Sequence, residues 1–212
     1  SNLLGLLRDR LLAHSFGASR VLDAYNAAFI MPNLLLNIFV AGALSAAFVP
    51  IFSELISKSQ KEEASEFANS VLNSSLLVIF ITGLATFIFA PQLSNLIVPG
   101  FDPASKVLFI KLMRLLLLSP LIFAASNTLG SILIGEERFF WDGISPVLYN
   151  IGIIGGTVFL AQRFGVYGVV IGTISGALLH LFSRIIGTGT RYLRYKTTIK
   201  VNEYFRKYLR IM

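Results

Sequence analysis

The sequence contains no cysteine in its 212 residues and only two histidines, His14 and His180. A disulfide framework, a thiolate metal site and a cysteine nucleophile are therefore excluded. The histidines lie far apart, with no acid at ligand spacing, so no metal or imidazole-base site is expected. Charge is scarce too: 14% of residues are Asp, Glu, Lys or Arg, against about 25% in ordinary soluble domains. No P-loop, Rossmann glycine fingerprint, HExxH or GxSxG occurs, and the few acids are scattered singly or lie in polar loops. This pattern argues against an enzyme.

What the chain has in excess is apolar length. Hydrophobic residues make up 55%, and no charged residue occurs in 24–53, 67–101, 115–135, 143–162 or 164–183. A bilayer core about 30 Å thick is crossed by roughly 20 residues at 1.5 Å each, so each stretch is long enough to span. A soluble domain of this size has too little interior to hide five such helices. The expected fold is all-α, a polytopic transmembrane helix bundle of about six spans, counting a clipped first helix.

The expected spans are 1–15, 23–53, 67–97, 104–134, 143–162 and 166–186, together one membrane domain over 1–186. Phe16-Gly17-Ala18-Ser19 closes the first, because Gly adopts the left-handed conformation that ends helices. Pro32 and Pro120 remove backbone hydrogen bonds in mid-span and are expected to kink their helices. The loop 54–66 is polar and partly helical in expectation, and Pro99-Gly100-Phe101-Asp102-Pro103 is a turn. Gly168, Gly172 and Gly176 recur at spacing four, which puts three missing side chains on one face for close helix packing.

The formal charge of +7 suggests nucleic acid until its location is considered. Residues 187–212 hold seven basic residues, among them Arg191, Arg194, Lys196 and Lys200, and one acid, Glu203, so they carry nearly all of it. Tyr204, Tyr208 and Ile211 share a helical face there. The segment reads as a basic amphipathic piece at the membrane surface, or the lead into a further span, with anionic lipid rather than nucleic acid as its partner. Loops 54–66 and 136–141 with this tail hold ten Lys and Arg, against Arg20, Lys106 and Arg163 on the other side. The positive-inside rule then places the start of the first helix, those loops and the tail in the cytoplasm.

Charges within apolar runs are costly at membrane depth and face a cavity or a partner. Arg8 and Asp9 interrupt a Leu-rich run, and Lys111 and Arg114 share a face of the fourth helix. Bland roles compete at each: Arg8 can pair with Asp9 or a lipid phosphate, Lys106 and Lys111 can snorkel, and Asp23 can cap a helix or pair with Arg20. Asn33, Asn37 and Ser45 need hydrogen bonds away from lipid, against helices or across a cavity.

Several of these residues fall in an order that resembles a known family. Arg8-Asp9, Phe16-Gly17-Ala18, Asp23-Ala24, Pro32-Asn33-Leu34-Leu35, Gly42-Ala43 and Ser45-Ala46-Ala47-Phe48-Val49-Pro50 are followed by Pro99-Gly100-Phe101. Arg114 with Ser119-Pro120, Gly130-Ser131-Ile132-Leu133, Arg138-Phe139, Pro146 with Asn150 and Gly165-Val166-Tyr167-Gly168 continue the series. The run is similar to the MurJ/MviN family of lipid II flippases, in the multidrug/oligosaccharidyl-lipid/polysaccharide transporter superfamily. The resemblance implies a fourteen-helix, two-lobed transporter of the bacterial cytoplasmic membrane, of which this chain is the amino-terminal lobe and its partner the carboxy-terminal lobe. It implies a lipid-linked glycan cargo, undecaprenyl-pyrophosphate-linked muropeptide, moved to the outer leaflet by alternating access. It implies no cofactor and names no coupling ion.

By the same resemblance Arg8, Asp9, Asp23, Asn33 and Arg114 are the expected substrate-binding residues. An Arg there can hold a pyrophosphate through paired, charge-assisted hydrogen bonds. Asn2, Leu36 and Ala41 depart from the family pattern, two replacing Arg and one Glu, so the cavity is expected to be less cationic, unless Arg114 compensates. The alternatives are a flippase for another polyprenyl-linked saccharide, a cation-coupled multidrug exporter and, from another class, a membrane scaffold or lipid-modifying enzyme. A single geometric criterion separates them: Arg8, Asp23 and Arg114 should share one cavity.

Overall fold

A computed structural model describes residues 2–38, 47–189 and 195–211. Ala41, Ser45, Arg191 and Arg194, and the side chain of Asn2, lie outside the described residues. All regular structure in them is helical: α1 Asn2–Phe16, α2 Arg20–Ala28, α3 Ile30–Leu36, α4 Val49–Ser57, α5 Lys61–Ile88 and α6 Ala90–Ile97 come first. α7 Pro103–Leu116, α8 Leu118–Gly135, α9 Phe139–Gly155, a π-helical turn Gly156–Leu160, α10 Ala161–Phe164, α11 Val166–Thr188 and α12 Glu203–Ile211 follow.

Among the described residues four helical runs are long and apolar enough to cross a membrane: Lys61–Ile88, Pro103–Gly135, Phe139–Phe164 and Val166–Thr188. They correspond to the expected third to sixth spans. The first two do not reach that length: α1 has 15 residues, and the 23–53 region is divided into α2, α3 and α4 around residues outside the description. All-α, polytopic membrane architecture therefore holds, with four described spans rather than six.

Helix breaks follow from proline chemistry. Proline has no N–H to give the carbonyl four residues earlier. α2 ends at Ala28, four before Pro32, and α7 ends at Leu116, four before Pro120. The kinks thus sit one turn ahead of the prolines that cause them. α5 likewise ends at Ile88, just ahead of Pro91, which splits the expected 67–97 helix. Turns between spans use the residues that tolerate positive φ: Gly17 at +60° closes α1 and Gly165 at +56° joins α10 to α11. Asp102 caps α7, accepting from the Ser105 amide at 3.0 Å and its hydroxyl at 2.7 Å. Those bonds hold the Asp102 carboxyl below its ordinary range.

The surface is apolar and the interior partly polar, the arrangement suited to lipid. Phe80, Ile81, Leu84 and Phe87 of α5 and Leu178, Phe182 and Ile185 of α11 are exposed. Many buried hydroxyls return their hydrogens to the turn before, Thr86 to Thr82, Thr128 to Ala124 and Thr157 to Ile153, and so are satisfied without water. Where water no longer drives apolar association, close backbone approach does more of the packing. A Cβ built on Gly172 meets the Gly156 Cα at 2.6 Å and the Gly152 carbonyl oxygen at 2.7 Å, and one on Gly176 meets the Tyr149 carbonyl oxygen at 2.5 Å. The expected stripe of Gly168, Gly172 and Gly176 therefore interlocks with Gly152, Gly156 and the Leu160 backbone.

A second packing centre surrounds Phe48, Phe52 and Phe67, stacked at centroid spacings of 5.2 and 5.1 Å. The basic tail belongs to it. Phe205 and Tyr208 of α12 are buried there, whereas Ile211 is 50% exposed, so the buried face is Phe205 with Tyr208 instead of the one running through Ile211. Burial pushes the Tyr208 hydroxyl up to about 12. Ahead of α12 the strap 195–200 is held by side chains of α5: Asn69 accepts from the Lys196 amide at 2.8 Å, and Asn73 donates to the Lys196 carbonyl at 2.7 Å. Ser70 accepts from the Lys200 amide at 2.9 Å, while Lys200 pairs with Glu66.

Candidate functional site

A cavity of about 320 Å³ opens between α1, α2, α3 and α9. Arg8, Asp9, Tyr25, Asn26, Asn33 and Tyr149 supply its polar wall, and Leu12, Phe29 and Ile153 its apolar one. Arg8 and Asp9 reach it because α1 presents them one turn before Leu12, which is buried against the bundle. The short α2 and α3, separated at the Pro32 break, bring Tyr25, Asn26, Phe29 and Asn33 onto the same wall.

Arg8 is held from two sides. Its Nε and Nη2 both lie 2.8 Å from Asp9 Oδ1, and Nη1 donates to Asn150 Oδ1 at 3.4 Å. Asn150 in turn donates to the Pro146 carbonyl at 2.8 Å. These contacts use three of the five guanidinium N–H groups and leave two for a ligand. The Arg8 side chain is 29% exposed and that of Asp9 61%, so the pair is solvated. Such a pair contributes little to folding, which frees it for binding.

The far wall is tied into the bundle. Tyr25 is buried with its hydroxyl 3.0 Å from Thr173 Oγ1. Thr173 gives its own hydrogen to the Val169 carbonyl at 2.9 Å, so Tyr25 is the donor. Tyr149 is set by the glycine contact of α9 with α11, since its carbonyl lies against Gly176, and its ring packs edge-on against Phe123 at 5.1 Å. The close-packed glycines thus fix the wall to which Arg8 is tied.

The other expected residues are placed differently. Asp23 is exposed on α2, one turn before Asn26 on the same face but outside the lining. Ser19 caps α2 and Arg20 lies over the Phe101 ring, so neither capping nor pairing with Arg20 is the role of Asp23. Arg114 is away from the cavity. Its Nε donates to the Phe87 carbonyl at 3.1 Å and its guanidinium lies 4.6 Å over the Phe87 ring. Phe87 is four residues before Pro91, so Arg114 takes the carbonyl that proline leaves without a donor. Arg8, Asp9 and Asn33 come together, but the expected shared cavity of Arg8, Asp23 and Arg114 is not formed among the described residues: Asp23 lies outside its lining and Arg114 stabilises a helix break. Leu36 is partly buried against the phenylalanine cluster, outside the cavity lining.

Sequence reasoning passed over a second arginine. Arg184 of α11 is 7% exposed and donates through Nη2 to Asp142 Oδ1 at 2.5 Å and through Nη1 to the Ser126 carbonyl at 2.9 Å and Asn127 Oδ1 at 3.0 Å. Ser126 also pairs with His180 Nδ1 at 2.7 Å, and Ser145 with Ser183 at 2.8 Å. Together these groups bind α8, α9 and α11. Gly130 makes the room: a Cβ there would lie 2.5 Å from the Arg184 Cζ. The available signal was a lone Asp opening one uncharged stretch and a lone Arg closing another, which also describes ordinary span ends.

Comparisons with known proteins agree on the family. The family model described as Lipid II flippase MurJ matches residues 12–212. Among curated relatives, the Lipid II flippase MurJ of Thermosipho africanus is 39% identical over 190 residues, covering 87% of this chain and 38% of that protein. The Probable lipid II flippase MurJ of Thermotoga maritima is 31% identical over 208 residues, covering 97% and 42%. A solved structure titled Lipid II flippase MurJ, inward closed conformation, superposes with a TM-score of 0.81 at 34% identity, over 99% of this chain and 43% of that one. The chain thus spans about two fifths of the length of the relatives it matches. With its membrane-spanning helices and a family match over nearly its whole length, the chain belongs to the MurJ lipid II flippase family.

Proposed function

We propose that the protein acts as a transporter of lipid-linked peptidoglycan precursor, moving undecaprenyl-pyrophosphate-linked muropeptide between leaflets by alternating access, and that the described helices form the wall of its carrying cavity. The observation that carries this reading is Arg8: partly exposed, oriented by Asp9 and Asn150, and left with two guanidinium N–H groups that meet no acceptor among the described residues. A pyrophosphate leaving water needs such charge-assisted donors. Asp9 orients Arg8 and competes with the phosphate for it, so release is built into the same pair. Asn33 supplies a neutral polar contact, and Asp23, one turn from the lining, suits a gating role at its edge.

The membrane is the bacterial cytoplasmic one, with the start of α1, the turn before α9 and the basic tail on the cytoplasmic side, in keeping with the ten-to-three division of Lys and Arg. The test is growth: the full chain should sustain cells depleted of their own lipid II flippase, and Arg8→Ala should abolish rescue. Rescue by Arg8→Ala at normal expression contradicts the role given to Arg8. A second reading keeps the transport cycle and changes the cargo to another polyprenyl-linked saccharide. Arg8 is the one cation among the described lining residues, which favours a less cationic site. Failure of the unaltered chain to rescue, with transport of a different lipid-linked glycan, selects that reading.

A further inference from the structure

Away from the Arg8 cavity, a cleft of about 400 Å³ lies between α5, α8 and α11, beneath Tyr195 of the strap. Leu72, Leu76, Leu129 and Leu181 make it apolar. One polar group interrupts them: Thr188 is 2% exposed, and its hydroxyl has no hydrogen-bond partner among the described residues. A buried hydroxyl without a partner costs about 1–3 kcal/mol, so the wall calls for an oxygen from outside the described chain. At the mouth, Tyr195 is 59% exposed and its hydroxyl is anchored to Asn73 Oδ1 at 3.2 Å. The next residue, Lys196, is held through its backbone by Asn69 and Asn73 with an exposed side chain.

We propose that this cleft is a binding site for one anionic glycerophospholipid, its acyl chain between α5, α8 and α11, an ester oxygen accepting the Thr188 hydroxyl, and its headgroup beside Lys196. Three features choose a lipid over a protein segment. The walls belong to three membrane-spanning helices, which puts the cleft within reach of lipid chains. Its volume is that of about one turn of a helix some 10 Å across, too little to seat another span but suited to a single alkyl chain. Tyr195 of the strap lines the cleft, which brings the exposed Lys196 next to it as a cation for an anionic headgroup. The site differs from the Arg8 cavity in wall, polarity and ligand, and stands whether or not the proposed cargo is correct.

The full chain in phosphatidylglycerol nanodiscs, transferred to detergent and weighed intact, should retain one phosphatidylglycerol per chain. Leu129→Trp fills the cleft and should abolish retention. Thr188→Val keeps shape and removes the hydroxyl, and should weaken retention about tenfold, which keeps the test valid if the tryptophan variant does not fold. Leu178→Trp, on an exposed face of α11, should leave it unchanged. Equal retention in Leu129→Trp and Thr188→Val overturns the site. Equal retention of phosphatidylcholine overturns its preference for an anionic headgroup. A photoreactive residue at Leu76 that cross-links to protein instead of lipid overturns the choice of occupant.

Discussion

Two arginines in one bundle have opposite surroundings. The Arg8 side chain, 29% exposed, shares one carboxylate oxygen and one amide oxygen. The Arg184 side chain, 9% exposed, is tied to two neighbouring helices through a carboxylate, a carbonyl and an amide. The comparison shows that a charge among apolar helices announces only that something holds it. Each guanidinium makes three contacts with the described residues, so what separates a ligand site from a fold contact here is how accessible the remaining hydrogens are. Arg114 sits between the two, spent on a carbonyl and a ring at the Pro91 break.

The largest expected effect separates these roles. Arg184→Leu leaves the Asp142 carboxylate without its partner and should destabilise by about 3–5 kcal/mol, seen as a fall in the unfolding midpoint in detergent. Arg8→Ala, removing a solvated pair, should cost under about 1 kcal/mol. Equal destabilisation by both would erase the distinction. Next, Gly172→Leu drives a side chain into the Gly156 backbone and should cost about 1–3 kcal/mol, while also loosening the wall that carries Tyr149 and Asn150. Transport should therefore fall with stability, as it does not for Arg8→Ala. Gly130→Ala should cost about 1–3 kcal/mol by pushing the Arg184 guanidinium off its acceptors. In the Arg184→Leu background it should cost markedly less, because the obstructed group is gone.

A smaller effect is expected where the arginine serves a break. Arg114→Leu should cost about 1–2 kcal/mol and leave transport per folded molecule intact. The smallest is in the tail. Lys58, first, and Lys207 hold the Glu54 carboxyl below its ordinary 4.5, and Lys207 belongs to α12. A carboxylate lowered in the folded state adds stability that is complete above 4.5 and is lost as the pH drops through the lowered value. Protease access to 195–211 should therefore stay constant down to pH 4.5 and rise only below it, and Glu54→Gln should remove that rise.

How much was legible in advance follows the same division. Spans three to six were readable because uncharged runs of such length have few other uses, and the kinks because proline removes a particular hydrogen bond. The stripe of Gly168, Gly172 and Gly176 was readable as a packing face, but its partners Gly152 and Gly156 were not, since pairing depends on which helices meet. Arg8 and Asp9 stood out because a Leu-rich run surrounds them. Asp142 and Arg184 did not, because each borders an uncharged stretch, where charge is ordinary; burial against Gly130 is a tertiary fact. Arg114 was misplaced for a related reason. Its position on the helix was clear, yet the acceptor it serves is created by a proline in another span.

The most direct test of the account measures Arg8→Ala twice on one preparation, for unfolding midpoint and for transport of lipid-linked precursor in proteoliposomes. The predicted result is an unchanged midpoint with transport lost. Retained transport, or a loss that follows a fallen midpoint, would contradict the assignment of Arg8 to the cargo and return it to the fold.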